Sequence, residues 1–195
     1  MADIRRIPLG NAGFTLIEVL VTLAVIALGL LGLAALQVRV HQAEREAYSR
    51  AQAIILLEDM TNRINANRAT APCYAYATAG GSPYLGVTDS GHAATLSCVG
   101  YGDANTQLRA VSDLNEWDAV LQGTTELVGT NAAGGALGAR GCITYDAVTL
   151  TYTVAVAWQG IVDTAVPAVS CGNNAYGRET QRRVVWTTLQ IATLL

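Results

Sequence analysis

The feature that most constrains this chain is a long apolar run close to its start. From Val19 to Val38 the sequence contains 20 residues without a charged side chain. A helix of about 20 apolar residues is long enough to span the hydrocarbon core of a bilayer. Glu18 stands directly before the run, although a carboxylate costs about 2.5–3.5 kcal/mol at mid-membrane and less near the interface. A segment that served only as an anchor would gain nothing from this carboxylate, so we expect Glu18 to have a cationic partner in the apolar phase.

A short polar leader, residues 1–13, precedes the run. The leader carries two arginines, and positive charge favours the cytoplasmic side of a membrane. A cut between Gly13 and Phe14 would create an α-amino group four residues from Glu18. That amine, on the same chain or on a neighbouring copy, would supply the cation that Glu18 needs.

The residues around this point resemble a known signal. The hexapeptide Gly13-Phe-Thr-Leu-Ile-Glu18 is similar to the class III signal of type IV pilins and of the pseudopilins of type II secretion. This resemblance implies that a prepilin peptidase cuts after Gly13 and N-methylates Phe14, and that Glu18 assists docking into a growing fibre. The implied partners are the peptidase, other minor and major pilins, the inner membrane and its pilus assembly platform.

A conventional secretory signal is an alternative interpretation of the same segment. Gly32-Leu-Ala34 has the small residues of a signal peptidase site. However, secretory signals have apolar regions of about 7–15 residues, shorter than this run. They also lack a charge at the position of Glu18, so the pilin-type signal is favoured over a secretory signal and over a plain membrane anchor.

The composition limits what the rest of the chain does. At 195 residues the chain has room for one domain in addition to its membrane segment. Its 12 basic residues are all arginines, and it has 15 acidic residues. Removal of residues 1–13 would change the formal net charge from −3 to −4. This charge argues against a broad nucleic-acid-binding surface, so no nucleic-acid partner is predicted.

Four cysteines follow the apolar run, and they favour disulfides over a metal site. None of them has C-x-x-C spacing, and His41 and His92 are the only histidines. Disulfides in an oxidising compartment therefore fit better than zinc, with free thiols as the alternative. Four cysteines allow three pairings. Bonds between cysteines that follow one another along the chain are favoured, and these are Cys73–Cys98 and Cys142–Cys171.

One long helix is predicted for the first third of the chain. No proline occurs between Pro8 and Pro72, and glycine is sparse there. The prediction is a helix from Phe14 to Arg68, about 80 Å long at 1.5 Å per residue. Its first part would lie in lipid or against other copies. Its second part would pack on a globular head through an apolar stripe of Ala47, Ala51, Ile54, Leu57 and Ile64.

The predicted domains follow from this helix. They are a removed leader at 1–13, a transmembrane and assembly half of the helix at 14–38, an amphipathic half at 39–69, and a periplasmic head at 70–195. In the head, residues 73–110 are expected to form an irregular segment. The pair Asp113 and Glu116 has the spacing of a capping box and predicts a short helix ending near Gln122.

The strongest strand signals come last. Strict alternation from Val148 to Gln159 predicts a half-buried strand. Its predicted partner is Gly141–Tyr145, joined by a turn at Asp146-Ala147, and a third strand is predicted at Arg182–Ile191. The predicted fold class is therefore α+β, in which a long N-terminal helix packs on a small antiparallel sheet, as in the ladle fold of type IV pilins.

Few residues suggest catalysis. Asp89, Ser90 and His92 are close in sequence, but a triad is recognised by geometry, and loop composition explains them better. Two glycine pairs, 80–81 and 134–135, lack the strand-to-helix context of a phosphate-binding loop. We therefore predict no enzymatic activity, no metal site and no cofactor.

A narrower resemblance extends over most of the chain. Several segments are similar to the PilV family of minor pilins, the type IV pilus modification proteins. These segments are Leu56–Arg63, Glu116-Trp117, Gly141–Ile143, Val154–Gly160, Cys171-Gly172 and Arg182–Val185. The resemblance implies a minor pilin that joins or primes a type IV pilus in motility or adhesion. A type II secretion pseudopilin is the alternative, and a secreted periplasmic domain is a weaker one.

Overall fold

The structure, a computed structural model, describes most of the chain. The described residues are 13–75, 84–87, 98, 100–123, 127–128, 131–132, 136 and 138–191. The chain divides into two compact units, with the boundary between Ala43 and Glu44.

The longest element is helix α1, Leu16–Ala66, with 51 residues. It confirms the predicted long N-terminal helix, and both of its ends lie within two residues of the prediction. By length and composition it is the only helix in the described part of the chain that could cross a membrane. From Leu16 to Ala43 every side chain is exposed. A continuous apolar surface of this size calls for lipid or other apolar helices around it.

The second part of α1 contributes one face to the core of the head. Its buried residues are Ala53, Leu56, Leu57, Met60 and Ile64. The predicted stripe is therefore only partly right, because Ala47, Ala51 and Ile54 are exposed. The face with Leu56 and Met60 removes more apolar surface from water than a face lined with alanines, which explains why it is the one buried.

The exit from α1 is more regular than the sequence indicated. A 3-10 turn, Arg68–Thr70, is followed by the short helix α2, Ala71–Tyr74. Pro72 lies in the first turn of α2, where its missing N–H has no helical partner to lose. The proline thus helps to start a new helix rather than only ending the previous one.

Helix α3, Ala104–Leu121, begins ten residues before the predicted start near Leu114. Asp103 is its N-cap: one carboxylate oxygen accepts hydrogen bonds from the backbone N–H groups of Asn105 and Thr106, each at 2.9 Å. The Thr106 hydroxyl in turn accepts from the Asp103 N–H at 2.9 Å. The capping role predicted for Asp113 is therefore wrong, and residues 104–110 are helical rather than irregular.

Three antiparallel strands form the main sheet of the head. They are β3, Arg140–Asp146, β4, Thr151–Gln159, and β5, Arg182–Gln190, in the order β3-β4-β5. This confirms the predicted α+β fold with a small antiparallel sheet. A separate two-stranded ribbon, β1 at Leu127–Val128 and β2 at Asn131–Ala132, was not anticipated from the sequence.

The turn between β3 and β4 is longer than predicted. The Asp146 carboxylate accepts hydrogen bonds from the Val148 N–H at 2.9 Å and the Thr149 hydroxyl at 2.8 Å. Leu150 has a φ of +54°, which is incompatible with a regular strand. The strand predicted from Val148 therefore begins only at Thr151.

Strand β4 is buried on both faces over part of its length, so the prediction of a half-buried strand is wrong there. Tyr152, Val154, Val156 and Trp158 face the main core. On the opposite face, Ala155 and Ala157 pack in a second small cluster with Cys142, Cys171 and Tyr176. The disulfide and the loop that carries Cys171 bury this second face of β4. The alternation of apolar and polar residues along the strand does not indicate that burial.

Close packing at Gly141 fixes α3 against the sheet. A Cβ atom at this position would overlap the Trp117 ring and Leu121. Trp117 is fully buried, and its indole N–H donates a hydrogen bond to the Leu56 carbonyl at 3.0 Å. Trp117 thus joins α1, α3 and β3 in one core.

Candidate assembly site

The start of α1 is built around Thr15. The backbone N–H of Glu18 donates to the Thr15 hydroxyl at 3.3 Å and to the Thr15 carbonyl at 3.1 Å. Thr15 therefore acts as the N-cap, and Glu18 lies in the first turn of the helix. A carboxylate there interacts favourably with the helix dipole. The geometry explains how the chain tolerates an acidic residue directly before its apolar run.

The proposed cleavage position lies outside the helix. Gly13 and Phe14 precede α1, and the Phe14 side chain is 84% exposed. A peptidase needs its scissile bond in an accessible, non-helical segment, and the Gly13–Phe14 bond meets this requirement. No salt bridge to Glu18 is found among the described residues. The pairing of Glu18 with an amine at Phe14 stays a prediction.

In the head, all four cysteines form disulfides. The bonds are Cys73–Cys98, with Cα atoms 5.3 Å apart, and Cys142–Cys171, with Cα atoms 5.7 Å apart. These are the two pairs that the sequence favoured, because each joins cysteines that follow one another along the chain. The first bond ties α2 to residue 98, and the second ties β3 to the loop before β5. In the chain-entropy account each bond stabilises the head by about 2–4 kcal/mol.

A buried carboxylate on α3 joins it to the end of α1 and to α2. Asp113 has a side chain that is 2% exposed. One of its oxygens accepts from Arg63 Nη1 at 3.1 Å and from Arg109 Nε at 3.0 Å. The other accepts from the Tyr74 hydroxyl at 2.5 Å. Asn67 completes the network by donating to Tyr74 Oη at 3.2 Å.

The charges of this network shift one another's proton affinities. Burial and the hydrogen bond to Asp113 raise the pKa of Tyr74. Burial alone would lower the pKa of Arg63, but its hydrogen bonds to Glu116 and Asp59 outweigh this and raise it. The hydrogen bond from Arg63 lowers the pKa of Glu116. Tyr74 and Arg63 therefore stay protonated at neutral pH, and Glu116 stays ionised.

The sequence contained one signal for this network. Asp113 interrupts the apolar face formed by Ala110, Leu114, Trp117 and Leu121 at helical spacing, and an acidic residue in such a stripe requires a buried partner. Its main partner, Arg63, lies 50 residues earlier. No local pattern identifies a partner at that distance.

Two consecutive arginines hold the segment between β4 and β5. Because neighbours in a strand point to opposite faces, Arg182 and Arg183 reach different sides of the sheet. Arg182, 2% exposed, donates to the carbonyls of Pro167, Val169 and Cys171. It also forms a salt bridge with Glu179 at 2.7 Å. This arginine organises a loop that has little apolar core of its own.

One of the two histidines lies in the part of the chain that the structure describes. His41 is exposed on α1, and His92, with Asp89 and Ser90, lies outside the described residues. No group of three metal-binding side chains is found within the residues that the structure covers.

These features define an α+β protein with a long apolar N-terminal helix and a disulfide-bonded head. The family model described as the prokaryotic N-terminal methylation motif matches residues 9–34. The model described as type IV pilin Tt1218 matches residues 35–118. The two matches adjoin, and together they support a type IV pilin.

These matches indicate the kind of protein. Type IV pilins are a family of structural subunits and not of enzymes. The methylation motif implies processing by a prepilin peptidase and assembly with other pilins. Comparison with curated proteins found no match, and neither did comparison with solved structures. The narrower likeness to the PilV family stays a prediction.

Proposed function

We propose that this chain is a minor pilin that enters, or primes the assembly of, a type IV pilus used in motility or adhesion. The observation that carries the proposal is the methylation motif over residues 9–34, followed without a gap by the pilin match. Before assembly, the chain is anchored in the inner membrane, and its head, residues 70–195, lies in the periplasm. It then moves into the fibre at the cell surface through the assembly platform.

Prepilin peptidase performs the first step in this account. It removes residues 1–13 by cutting the exposed bond between Gly13 and Phe14, and it methylates the new amino group of Phe14. The accessible, non-helical position of this bond supports the assignment. The new amine stands beside the first turn of α1, which contains Glu18.

Assembly then depends on residues 14–38 and on Glu18. The apolar half of α1 leaves lipid for a bundle of equally apolar helices, so little hydrophobic free energy is lost in the transfer. Glu18 pairs with the amine of Phe14 on a neighbouring subunit. Only one axial position brings these charges together, and the pair therefore sets the register of the subunit. The amphipathic half, residues 39–69, carries the head.

Quantitative mass spectrometry of sheared surface fibres tests this proposal. We expect the processed chain in the fibres at a level well below that of the major pilin, and we expect its deletion to impair twitching. Absence from the fibres, together with loss of exoprotein release on deletion, would contradict the proposal and favour a type II secretion pseudopilin. A level equal to that of the major pilin would contradict the minor role.

A further inference from the structure

A cleft of about 380 Å³ opens between the end of α1 and the first half of α3, inside the second compact unit. One wall carries Arg63 and Asn67, and the other carries Asn105 and Arg109. Helical residues four positions apart lie on the same face, so each wall presents its pair together. Small-molecule sites typically have volumes of about 300–1,000 Å³. The cleft therefore has room for a small ligand or for one residue of a larger one.

Asn67 gives this cleft a hydrogen-bond acceptor. Only 8% of the residue is exposed, and its amide nitrogen donates to Tyr74 Oη at 3.2 Å and to the Thr106 carbonyl at 2.9 Å. These bonds hold the side chain in one orientation. Its Oδ1 atom accepts no hydrogen bond from any residue that the structure describes. An unpaired acceptor on a side chain this deeply buried is costly, so Oδ1 marks the place of a donor from outside the described chain.

Two arginines add hydrogen-bond donors to the same cleft. Arg109 donates through Nε to Asp113 at 3.0 Å, and its side chain is 68% exposed. The Nε and Nη1 groups of Arg63 donate to three carboxylates, those of Asp59, Asp113 and Glu116. Within the described residues, neither Nη group of Arg109 has an acceptor, and nor has Nη2 of Arg63. These N–H groups are available to a ligand.

The charges around the cleft favour a neutral ligand. Three carboxylates contact the two guanidinium groups, so the described cluster carries no excess of positive charge. A phosphate or carboxylate ligand would lie close to these carboxylates, and like charges repel. A hydroxyl group carries no charge and both donates and accepts hydrogen bonds. Neighbouring hydroxyls on one ligand therefore match the arginine donors and the Asn67 acceptor at the same time.

We propose that this cleft binds a neutral sugar residue of a glycan. The sugar hydroxyls accept from Arg63 and Arg109 and donate to Asn67 Oδ1, and the exposed amide of Asn105 adds a further contact. A peptide fits less well, because both walls are helical and peptides held by their backbone add to an open strand edge. The site lies wholly within the head, so this inference goes beyond the proposed function and does not depend on assembly into a fibre.

NMR of the full chain in detergent micelles, with isotope-labelled arginine, tests this proposal. The Nε–H signals of Arg63 and Arg109 are followed, because a carboxylate holds each group in place. The probes are the methyl glycosides of glucose, galactose, mannose and N-acetylglucosamine. Methyl glucuronide is the anionic counterpart of the glucoside, N-acetylalanine methylamide represents a peptide, and sodium chloride at equal ionic strength is the blank. We expect a saturable shift of both signals with at least one neutral glycoside and none with sodium chloride.

Three variants locate the binding. Asn105→Ala and Arg109→Gln are expected to weaken it several-fold, and the Arg63 signal reports binding in both. Asn105→Ala leaves every ion pair of Asp113 in place, so its effect does not depend on the stability of the head. Arg178→Gln is the matched control and is expected to bind normally. Arg178 is 65% exposed and pairs with one carboxylate, that of Asp163, but it does not line the cleft.

Four results would overturn the sugar site. They are the absence of a saturable shift with every glycoside, equal weakening by Arg178→Gln, tighter binding of the glucuronide than of any neutral glycoside, and saturation by the peptide probe alone. The third result would assign the cleft to anions, and the fourth would assign it to a peptide. Each of them leaves the pilin proposal standing, since the presence of the chain in fibres tests that separately.

Discussion

Replacement of Glu18 by alanine is expected to leave processing intact and to prevent assembly. Cleavage depends on the accessible Gly13–Phe14 bond, which the substitution does not alter. In the proposed mechanism, docking depends on an ion pair between Glu18 and the amine of a neighbouring subunit. At a separation of about 4 Å such a pair is worth about 4 kcal/mol at an effective dielectric constant of about 20. Its loss removes the interaction that we assign to setting the register.

Two measurements on the Glu18→Ala variant separate these effects. The intact mass of the membrane-bound protein reports cleavage and methylation, and mass spectrometry of sheared fibres reports assembly. Glu58→Ala is a suitable control, because Glu58 is an exposed acidic residue on the same helix but outside the apolar run. Fibres that contain the Glu18 variant at the wild-type level would refute the role of this carboxylate.

The Asp113→Ala variant is expected to lose about 2–4 kcal/mol of head stability. Breaking a buried ion pair costs about 3–5 kcal/mol, mostly because a buried charge stays unpaired. Here Arg63 keeps Asp59 and Glu116 as partners, which places the expected loss around the lower end of that range. The Tyr74 hydroxyl loses its buried acceptor as well, which adds to the cost.

Glu116→Ala provides the matched control for Asp113→Ala. Both carboxylates accept from Arg63 Nη1, but the Glu116 side chain is 58% exposed and that of Asp113 only 2%. An exposed ion pair contributes about 0–1 kcal/mol. Urea unfolding of the full chain in detergent, followed by tryptophan fluorescence, to which the buried Trp117 contributes, compares the two. Equal shifts of the unfolding midpoint would contradict the structural role of Asp113.

Much of the fold could be predicted because it follows from local chemistry. The long helix is a direct consequence of an apolar run that lacks proline, and the strand signals from Gly141 and Arg182 lie within one residue of β3 and β5. The disulfide partners are near neighbours in sequence. In each case a short stretch of chain contains the information that determines the element.

The incorrect predictions concern contacts between distant residues. The spacing of Asp113 and Glu116 predicted a cap at Asp113, and only the ion pairs of Asp113 with Arg63 and Arg109 show that it serves another purpose. The second buried face of β4 depends on the loop that carries Cys171. Neither arrangement leaves a periodic signal, because the partner approaches from another part of the chain.

Glu18 could be singled out from the sequence as a candidate assembly residue, whereas its surroundings could not. Glu18 stands out because a charge beside a membrane span is costly, and that cost is readable from sequence. The Thr15 cap, which places Glu18 in the first helical turn, became evident only from the backbone geometry. The Glu46–Arg183 pair joins residues 137 positions apart, and no sequence pattern indicated it.

The most direct test of the account is the intact mass and N-terminal sequence of the chain expressed with and without prepilin peptidase. We predict a chain that begins at N-methylated Phe14 when the peptidase is present, and an uncut chain when it is absent. A chain that begins near Ala35 without the peptidase would identify a secreted domain on an ordinary signal peptide. That result would contradict the processing, the role of Glu18 and the assembly into a fibre.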